Sequence, residues 1–292
     1  MIVTTAPLAG FPAQRVANPP IRVFDATFFT GDAHAATPVG HRPPRRLPPV
    51  SQPSRSGASH PAVVVGLPGT GSDADFARRA FEPACAARNL PFIAVEPDPR
   101  AVVASCWAAL DAAAGRGPVL AAGISLGAAI AVEWAAARPE SASGVVAALP
   151  AWTGADATGC PAALSAAATA AQLRADGLEP VIDRMRAGSP PWLARALTQS
   201  WRTHWPELPA ALEEAAGYAW PEPELLATLR IPVTIVAAVD DPVHPVSVAQ
   251  QWYARLPHAR LFRITLDELG ADPGILGTRG LGESAPSAVP GR

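Results

Sequence analysis

The 292-residue sequence contains no lysine, so all 23 of its basic side chains are arginine. A Schiff-base mechanism and a Ser–Lys dyad are therefore excluded, because both need a lysine amine. Acidic residues number 25, which leaves a formal net charge of -2. No general basic field exists to attract nucleic acid or an anionic membrane surface, and we expect no nucleic-acid partner.

Cysteine is scarce as well, since only Cys85, Cys106 and Cys160 are present, and they lie far apart. Their spacing predicts neither a disulfide framework nor a zinc site, and we expect no metal and no organic cofactor. The first residues, MIVTTAPLAGFPAQR, lack the basic segment and following apolar run that a signal peptide needs. Free thiols in a sequence without signal-peptide features favour a cytoplasmic protein.

No apolar run in the sequence is long enough to cross a membrane. The longest uncharged apolar stretch, PVLAAGISLGAAIAV, covers residues 118–132 and ends at Glu133. This is short of the roughly 20 residues that a spanning helix requires. We therefore expect no membrane span.

Proline and arginine are concentrated near the N-terminus. Residues 1–61 are predicted to hold one strand, IRVFDATFF, and then an extended segment, because residues 38–61 contain seven prolines. From residue 62 onward, short apolar runs alternate with amphipathic helical patterns. This alternation predicts an α/β fold with a mostly parallel sheet and helices on both faces.

Residues 62–150 and 231–272 are assigned to this α/β core. Residues 151–230 interrupt the alternation with helical patterns and five of the eight tryptophans, which predicts a helical cap between the fourth and fifth strands. Residues 273–292 are rich in glycine, proline and serine, and we expect them to form a disordered tail.

Ser125 is the most informative single residue of the core. It lies in the Gly-x-Ser-x-Gly sequence GISLG, where an apolar strand runs into an alanine-rich helix. A serine at such a corner sits on a tight turn with its hydroxyl exposed, which suits a nucleophile. The alternative interpretation is that Ser125 only caps the helix.

GISLG and two further segments, GLPGTGSD at 66–73 and VAAVDDPVHP at 236–245, resemble the motifs of the α/β-hydrolase superfamily. The resemblance covers roughly residues 62–272. It implies the α/β-hydrolase fold, a nucleophile at Ser125 and a triad acid at Asp241. It also implies an oxyanion hole formed by the amides of Thr70 and Leu126. Without the resemblance, residues 66–73 are an ordinary glycine-rich turn, and residues 236–245 are a loop shaped by its aspartates.

The histidine that the resemblance implies is missing from its usual place. It should follow the last strand, but the sequence there is DELGADPGILG. Of the six histidines, only His244 comes from a loop at the correct edge of the sheet. Three accounts are open: His244 is the base in an exchange of roles between loops, Ser125 reacts weakly with another base or none, or the fold persists without the reaction. In the first account the carboxylates that could orient His244 are Asp241, Asp240, Asp267, Glu268 and Asp272.

The favoured function is therefore hydrolysis of a carboxylic ester or related acyl compound through an acyl-serine intermediate. The aromatic, alanine-rich cap favours a small apolar acyl substrate. The alternative is a non-catalytic binding protein of the same fold that has lost the triad histidine. An acyltransferase or a cofactor-free haloperoxidase would use the same site. The sequence specifies neither the acyl length nor the oligomeric state.

Overall fold

The short apolar runs of the sequence form the strands of a parallel sheet in the computed structural model, which describes residues 61–282. The six strands of this part are Val63–Leu67 (β1), Phe92–Ala94 (β2), Val119–Ile124 (β3), Ala142–Ala148 (β4), Val233–Ala238 (β5) and Ala259–Ile264 (β6). Their order across the sheet is β2-β1-β3-β4-β5-β6, and every neighbouring pair is parallel. Strands β1 and β4 are buried along their whole length, as expected when helices cover both faces.

Helices flank the sheet on its two sides. They are Ala74–Ala86 (α1), Val102–Ala114 (α2), Leu126–Ala137 (α3), Val246–Arg255 (α9), Leu266–Ala271 (α10) and Ile275–Gly280 (α11). One core cluster unites the sheet with α2, α3 and α9, and a second unites it with α1, α10 and α11. The predicted α/β class with a mostly parallel sheet and helices on both faces is confirmed.

Five further helices lie between β4 and β5, in the segment that the sequence predicts to be helical. They are Pro161–Asp176 (α4), Leu178–Gly188 (α5), Pro191–His204 (α6), Leu208–Ala216 (α7) and Pro223–Thr228 (α8). Four of the five, all but α5, carry proline at the first or second position, where its missing N–H costs no hydrogen bond. We call α4–α8 the helical insertion.

The prediction of a disordered tail from residue 273 is wrong for the part that is described, because residues 275–280 form α11. The glycines of this stretch allow close packing: a Cβ at Gly277 would lie 2.7 Å from the carbonyl oxygen of Ala80 on α1. Leu276 is fully buried between these elements. The core therefore extends to residue 280 rather than 272.

The remaining calls on the chain ends lie outside the described residues: the predicted N-terminal strand with its proline-rich extension, and residues 283–292 of the predicted tail. Among the helices within residues 61–282, none has the length and hydropathy that a transmembrane span requires.

Candidate active site

Ser125 occupies a strained corner between β3 and α3. Its φ of 53° and ψ of -117° lie in a region that non-glycine residues rarely adopt, at a cost of about 1–3 kcal/mol. The glycines on either side make this corner compatible with the sheet. A Cβ at Gly123 would overlap the backbone of Gly127, and a Cβ at Gly127 would lie 2.6 Å from the carbonyl oxygen of Pro68. Both small residues of the Gly-x-Ser-x-Gly sequence are thus required by backbone contact.

His244 lies next to this serine. It belongs to the loop between β5 and α9, and its Nε2 is 2.9 Å from Ser125 Oγ. Because parallel strands β3 and β5 end at the same edge of the sheet, their following loops meet there. The His244 side chain is only 1% exposed, so the packing around it fixes the ring.

Asp241 completes the hydrogen-bonded chain from the same loop. Its Oδ2 lies 2.8 Å from His244 Nδ1, and its Oδ1 accepts the backbone N–H groups of Val243 and His244 at 2.8 and 3.2 Å. Burial alone would raise the pKa of Asp241, but nearby His244 and these hydrogen bonds outweigh burial and lower it from 3.8 to about 2. Asp241 is therefore a carboxylate at neutral pH, which favours the tautomer of His244 with the proton on Nδ1.

The other candidate carboxylates are not in contact with His244. Asp240 Oδ1 accepts the backbone N–H of Leu266 at 2.8 Å. Glu268 forms a capping box with Thr265 at the start of α10, and Asp272 accepts the N–H of Gly274. Asp267 is exposed in the first turn of α10. Of the five carboxylates, the structure brings only Asp241 to the ring.

The two proposed oxyanion donors come from two segments whose backbones are in contact. Leu126 is the first residue of α3, and Thr70 belongs to the loop after β1. This loop touches the serine corner, as the approach of Pro68 to Gly127 shows. Within residues 61–282, no backbone carbonyl accepts a hydrogen bond from either amide. Both amides are thus available to a ligand, at a position where the N-terminus of α3 favours negative charge.

Solved structures share this arrangement of sheet and helices. BpoC of Mycobacterium tuberculosis, to which non-heme bromoperoxidase activity has been ascribed, matches 75% of this chain and 90% of its own with a TM-score of 0.56 and 21% identity. A thermophilic esterase from Thermogutta terrifontis matches 69% and 80% of the two chains with a TM-score of 0.55 and 16% identity. The chain has the α/β-hydrolase fold.

A deformylase from Pseudomonas putida that acts on N-formylmaleamic acid has the same fold. It is 20% identical over 70% of this chain and 85% of its own, with a TM-score of 0.54. By sequence alone, no protein-family model and no curated protein matches the chain. The α/β-hydrolase fold predicted from three short motifs is confirmed by these structural matches.

The helical insertion covers the candidate site. Ser125 is 3% exposed and His244 2%. A cavity lined in part by Ile124 and Gly69, the chain neighbours of Ser125 and Thr70, is about 10 Å³, close to the volume of one water-sized sphere. Its lining consists of Gly69, Ser72, Phe76, Ile124, Leu193, Ala196 and Leu197. The walls are thus mainly aliphatic, and the tryptophans of the insertion do not line this cavity.

A larger groove lies on the other face of α6. It measures about 600 Å³ and is lined by Arg186, Arg195 and Arg202 together with polar side chains. Arg202 is paired with Glu179 across the surface. Neither the site residues nor their chain neighbours line this groove, so its size does not make it the candidate site.

Two other described histidines lie away from Ser125. His258 is exposed before β6, and its carbonyl accepts the N–H of Val233. His204 is buried at the end of α6, with Nε2 2.9 Å from Glu96 Oε1. The sequence shows no sign of this second histidine–carboxylate pair, because its two residues are 108 positions apart.

Proposed function

We propose that the chain is a serine hydrolase that cleaves carboxylic esters or related acyl compounds through an acyl-serine intermediate. The observation that carries this proposal is the hydrogen-bonded chain from Ser125 Oγ through the His244 ring to Asp241. A nucleophile, a base within reach of it and a carboxylate that orients the base are what serine-based acyl transfer needs, whichever loops supply them.

The first half of the reaction transfers the acyl group to the enzyme. Ser125 Oγ attacks the carbonyl carbon while His244 Nε2 takes the hydroxyl proton. The carbonyl oxygen becomes an oxyanion that the amides of Thr70 and Leu126 stabilise, and Asp241 stabilises the imidazolium that forms. As the intermediate collapses, the bond to the leaving group breaks and His244 returns its proton to that group.

The second half releases the acyl group. A water molecule attacks the acyl-serine carbonyl while His244 Nε2 takes one of its protons. The same two amides hold the second oxyanion. Collapse then breaks the bond to Ser125 Oγ, and His244 gives the proton back to the serine. The products are a carboxylic acid, the released alcohol and the unchanged enzyme.

The lining of the cavity favours a small apolar acyl group as the substrate. Its walls are formed by Ile124 and Phe76 of the core and by Leu193, Ala196 and Leu197 of α6. These side chains offer apolar surface and no charge to a substrate. Because the cavity holds little more than one water-sized sphere, an acyl chain can occupy it only when the side chains that line it rearrange, so we call the helical insertion a cap.

A fluorophosphonate probe tests this proposal, because it reacts covalently with an activated serine. Wild-type protein is expected to gain one adduct on Ser125, and Ser125→Ala is expected to gain none. Ser143→Ala is the matched control. Ser143 is also buried, but it lies near the amino end of β4, whereas Ser125 follows the carboxyl end of β3. The control is expected to react like the wild type.

The binding-protein alternative predicts a different result. Well-folded wild-type protein would then remain unlabelled across the pH range and would hydrolyse no p-nitrophenyl ester. That pair of results would reject the hydrolase proposal.

A further inference from the structure

Helix α6 of the insertion contacts the loop that carries Thr70. Ser200 Oγ donates a hydrogen bond of 2.7 Å to the carbonyl oxygen of Gly71, the residue after Thr70. Ser200 is 1% exposed, and the sequence separation of the pair is 129 residues. This is a partly buried tertiary hydrogen bond between α6 and the loop after β1, and it is shorter than the 3.3 Å from the same hydroxyl to the Leu197 carbonyl of its own helix.

Trp201 of α6 and Leu212 of α7 also lie close to this loop. Gly71 has a φ of 66°, and a Cβ at this position would lie 3.1 Å from Trp201 Nε1 and 3.3 Å from Leu212 Cδ2. Glycine is therefore needed for both the left-handed backbone and the close approach of the indole. The backbone of Gly71 is held between the Ser200 hydroxyl and the Trp201 ring.

Two more polar contacts from α6 reach the following residues. Gln199 Nε2 donates to Asp73 Oδ2 at 3.1 Å, while Asp73 Oδ1 caps α1. His204 contacts Glu96, whose second oxygen accepts the N–H of Ala74 at 2.8 Å. The C-terminal half of α6 thus contacts Gly71 and Asp73 directly and reaches Ala74 through Glu96.

Another face of α6 closes the acyl cavity through Leu193, Ala196 and Leu197. One rigid helix therefore both covers the substrate cavity and fixes the loop that provides an oxyanion donor. Any movement of α6 away from the cavity would also break the bond from Ser200 to Gly71.

We propose that Ser200 is a positioning residue for the oxyanion hole, which couples closure of α6 over the acyl group to alignment of the Thr70 amide. The inference rests on the hydrolase function proposed above. With α6 closed, the Thr70 amide points at the developing oxyanion. With α6 displaced, the loop is free and the site binds a substrate without stabilising its transition state.

The test compares Ser200→Ala with Thr203→Ala, which removes an exposed hydroxyl from the same helix. Loss of one positioning hydrogen bond is expected to lower kcat of Ser200→Ala about tenfold for p-nitrophenyl butyrate and to leave KM within about twofold. The affinity for a trifluoromethyl ketone, which forms an oxyanion on the serine, should fall by the same factor. Thr203→Ala should match the wild type in all three quantities.

Several results would overturn the inference. An unchanged kcat in Ser200→Ala would do so, and so would a lower kcat with an unchanged affinity for the ketone, since that reports a general structural defect. If Ser200→Ala does not fold, the inference is tested with Gln199→Ala instead, because Gln199 is exposed. The expected loss in kcat is about threefold. A wild-type-like kcat in that variant would then reject the coupling.

The two proposals fail in different ways. Wild-type protein that neither hydrolyses esters nor reacts with the fluorophosphonate would remove the hydrolase function and this inference together. Labelled, active wild type with an unaffected Ser200→Ala would remove only the role of Ser200.

Discussion

Asp241 and His244 are only three residues apart, yet Asp241 Oδ2 lies 2.8 Å from His244 Nδ1 with both side chains buried. Such a short separation is sufficient because Asp241 also accepts the N–H groups of Val243 and His244, which folds the loop into a tight turn around the carboxylate. In the proposed reaction, one loop therefore supplies both the base and its orienting acid. The loop after β6 needs no histidine in this arrangement.

The identity of the acid is the first prediction. Asp241→Asn should lower kcat about 10³–10⁴-fold, because an amide in place of the carboxylate neither favours the right tautomer nor stabilises the imidazolium. Asp240→Asn is the matched control and should stay within about threefold of the wild type, since Asp240 contacts the backbone of Leu266. Steady-state kinetics with p-nitrophenyl butyrate measure both. Equal losses in the two variants would contradict the assignment.

The second prediction concerns stability at acid pH. The pKa of Asp241 is lowered to about 2 in the folded protein, against about 3.9 in an unfolded chain. Its ionised form therefore contributes stability that is fully present above about pH 4 and is lost as the pH falls through about 2. Urea unfolding of the wild type and Asp241→Asn should give a difference in free energy that shrinks over this window. A constant difference from pH 6 to pH 2 would contradict the lowered pKa.

The third prediction concerns the acyl cavity. Leu197 is 2% exposed on α6, and Leu197→Ala should enlarge the cavity and shift the preferred p-nitrophenyl ester toward longer acyl chains. The same change should cost about 2–5 kcal/mol of stability. Leu164→Ala on α4 is the control, because Leu164 is 58% exposed and should change neither property. An unaltered chain-length profile in Leu197→Ala would show that this cavity does not hold the acyl group.

The fourth prediction concerns the thiols. Burial raises the pKa of Cys85 to about 11 and that of Cys106 to about 12, so neither forms a thiolate at neutral pH. Cys160 is only half-buried. Native protein treated with Ellman's reagent at pH 8 should therefore react at Cys160 first, with the other two thiols reacting only after unfolding. Rapid reaction of two or more thiols in the native state would contradict this.

Much of the fold could be predicted from the sequence, because a buried parallel strand is an uninterrupted apolar run and Ser125 lies at a strand-to-helix corner. The structure of residues 273–280 could not be predicted, because the sequence of a glycine-rich stretch does not show whether it packs against the core. Gly277 does so, against Ala80. His244 could be placed at the correct edge by its position after β5. The choice of Asp241 among five carboxylates depends on side-chain geometry, which residue spacing does not specify.

The contacts of the helical insertion were beyond sequence reasoning for a different reason. The bond from Ser200 to Gly71 and the pair of His204 with Glu96 join segments more than 100 residues apart. No local pattern marks such partners, and a serine in a helix commonly bonds its own helix instead.

The most direct test of the account is the rate at which a fluorophosphonate labels Ser125 in wild type, His244→Ala and His258→Ala, followed by intact-protein mass spectrometry. Because His244 is assigned as the base, its removal should slow labelling and lower kcat by about 10²–10⁴-fold, while His258→Ala should match the wild type. A His244→Ala variant that is folded and labelled as fast as the wild type would contradict the assignment of His244 as the base that activates Ser125.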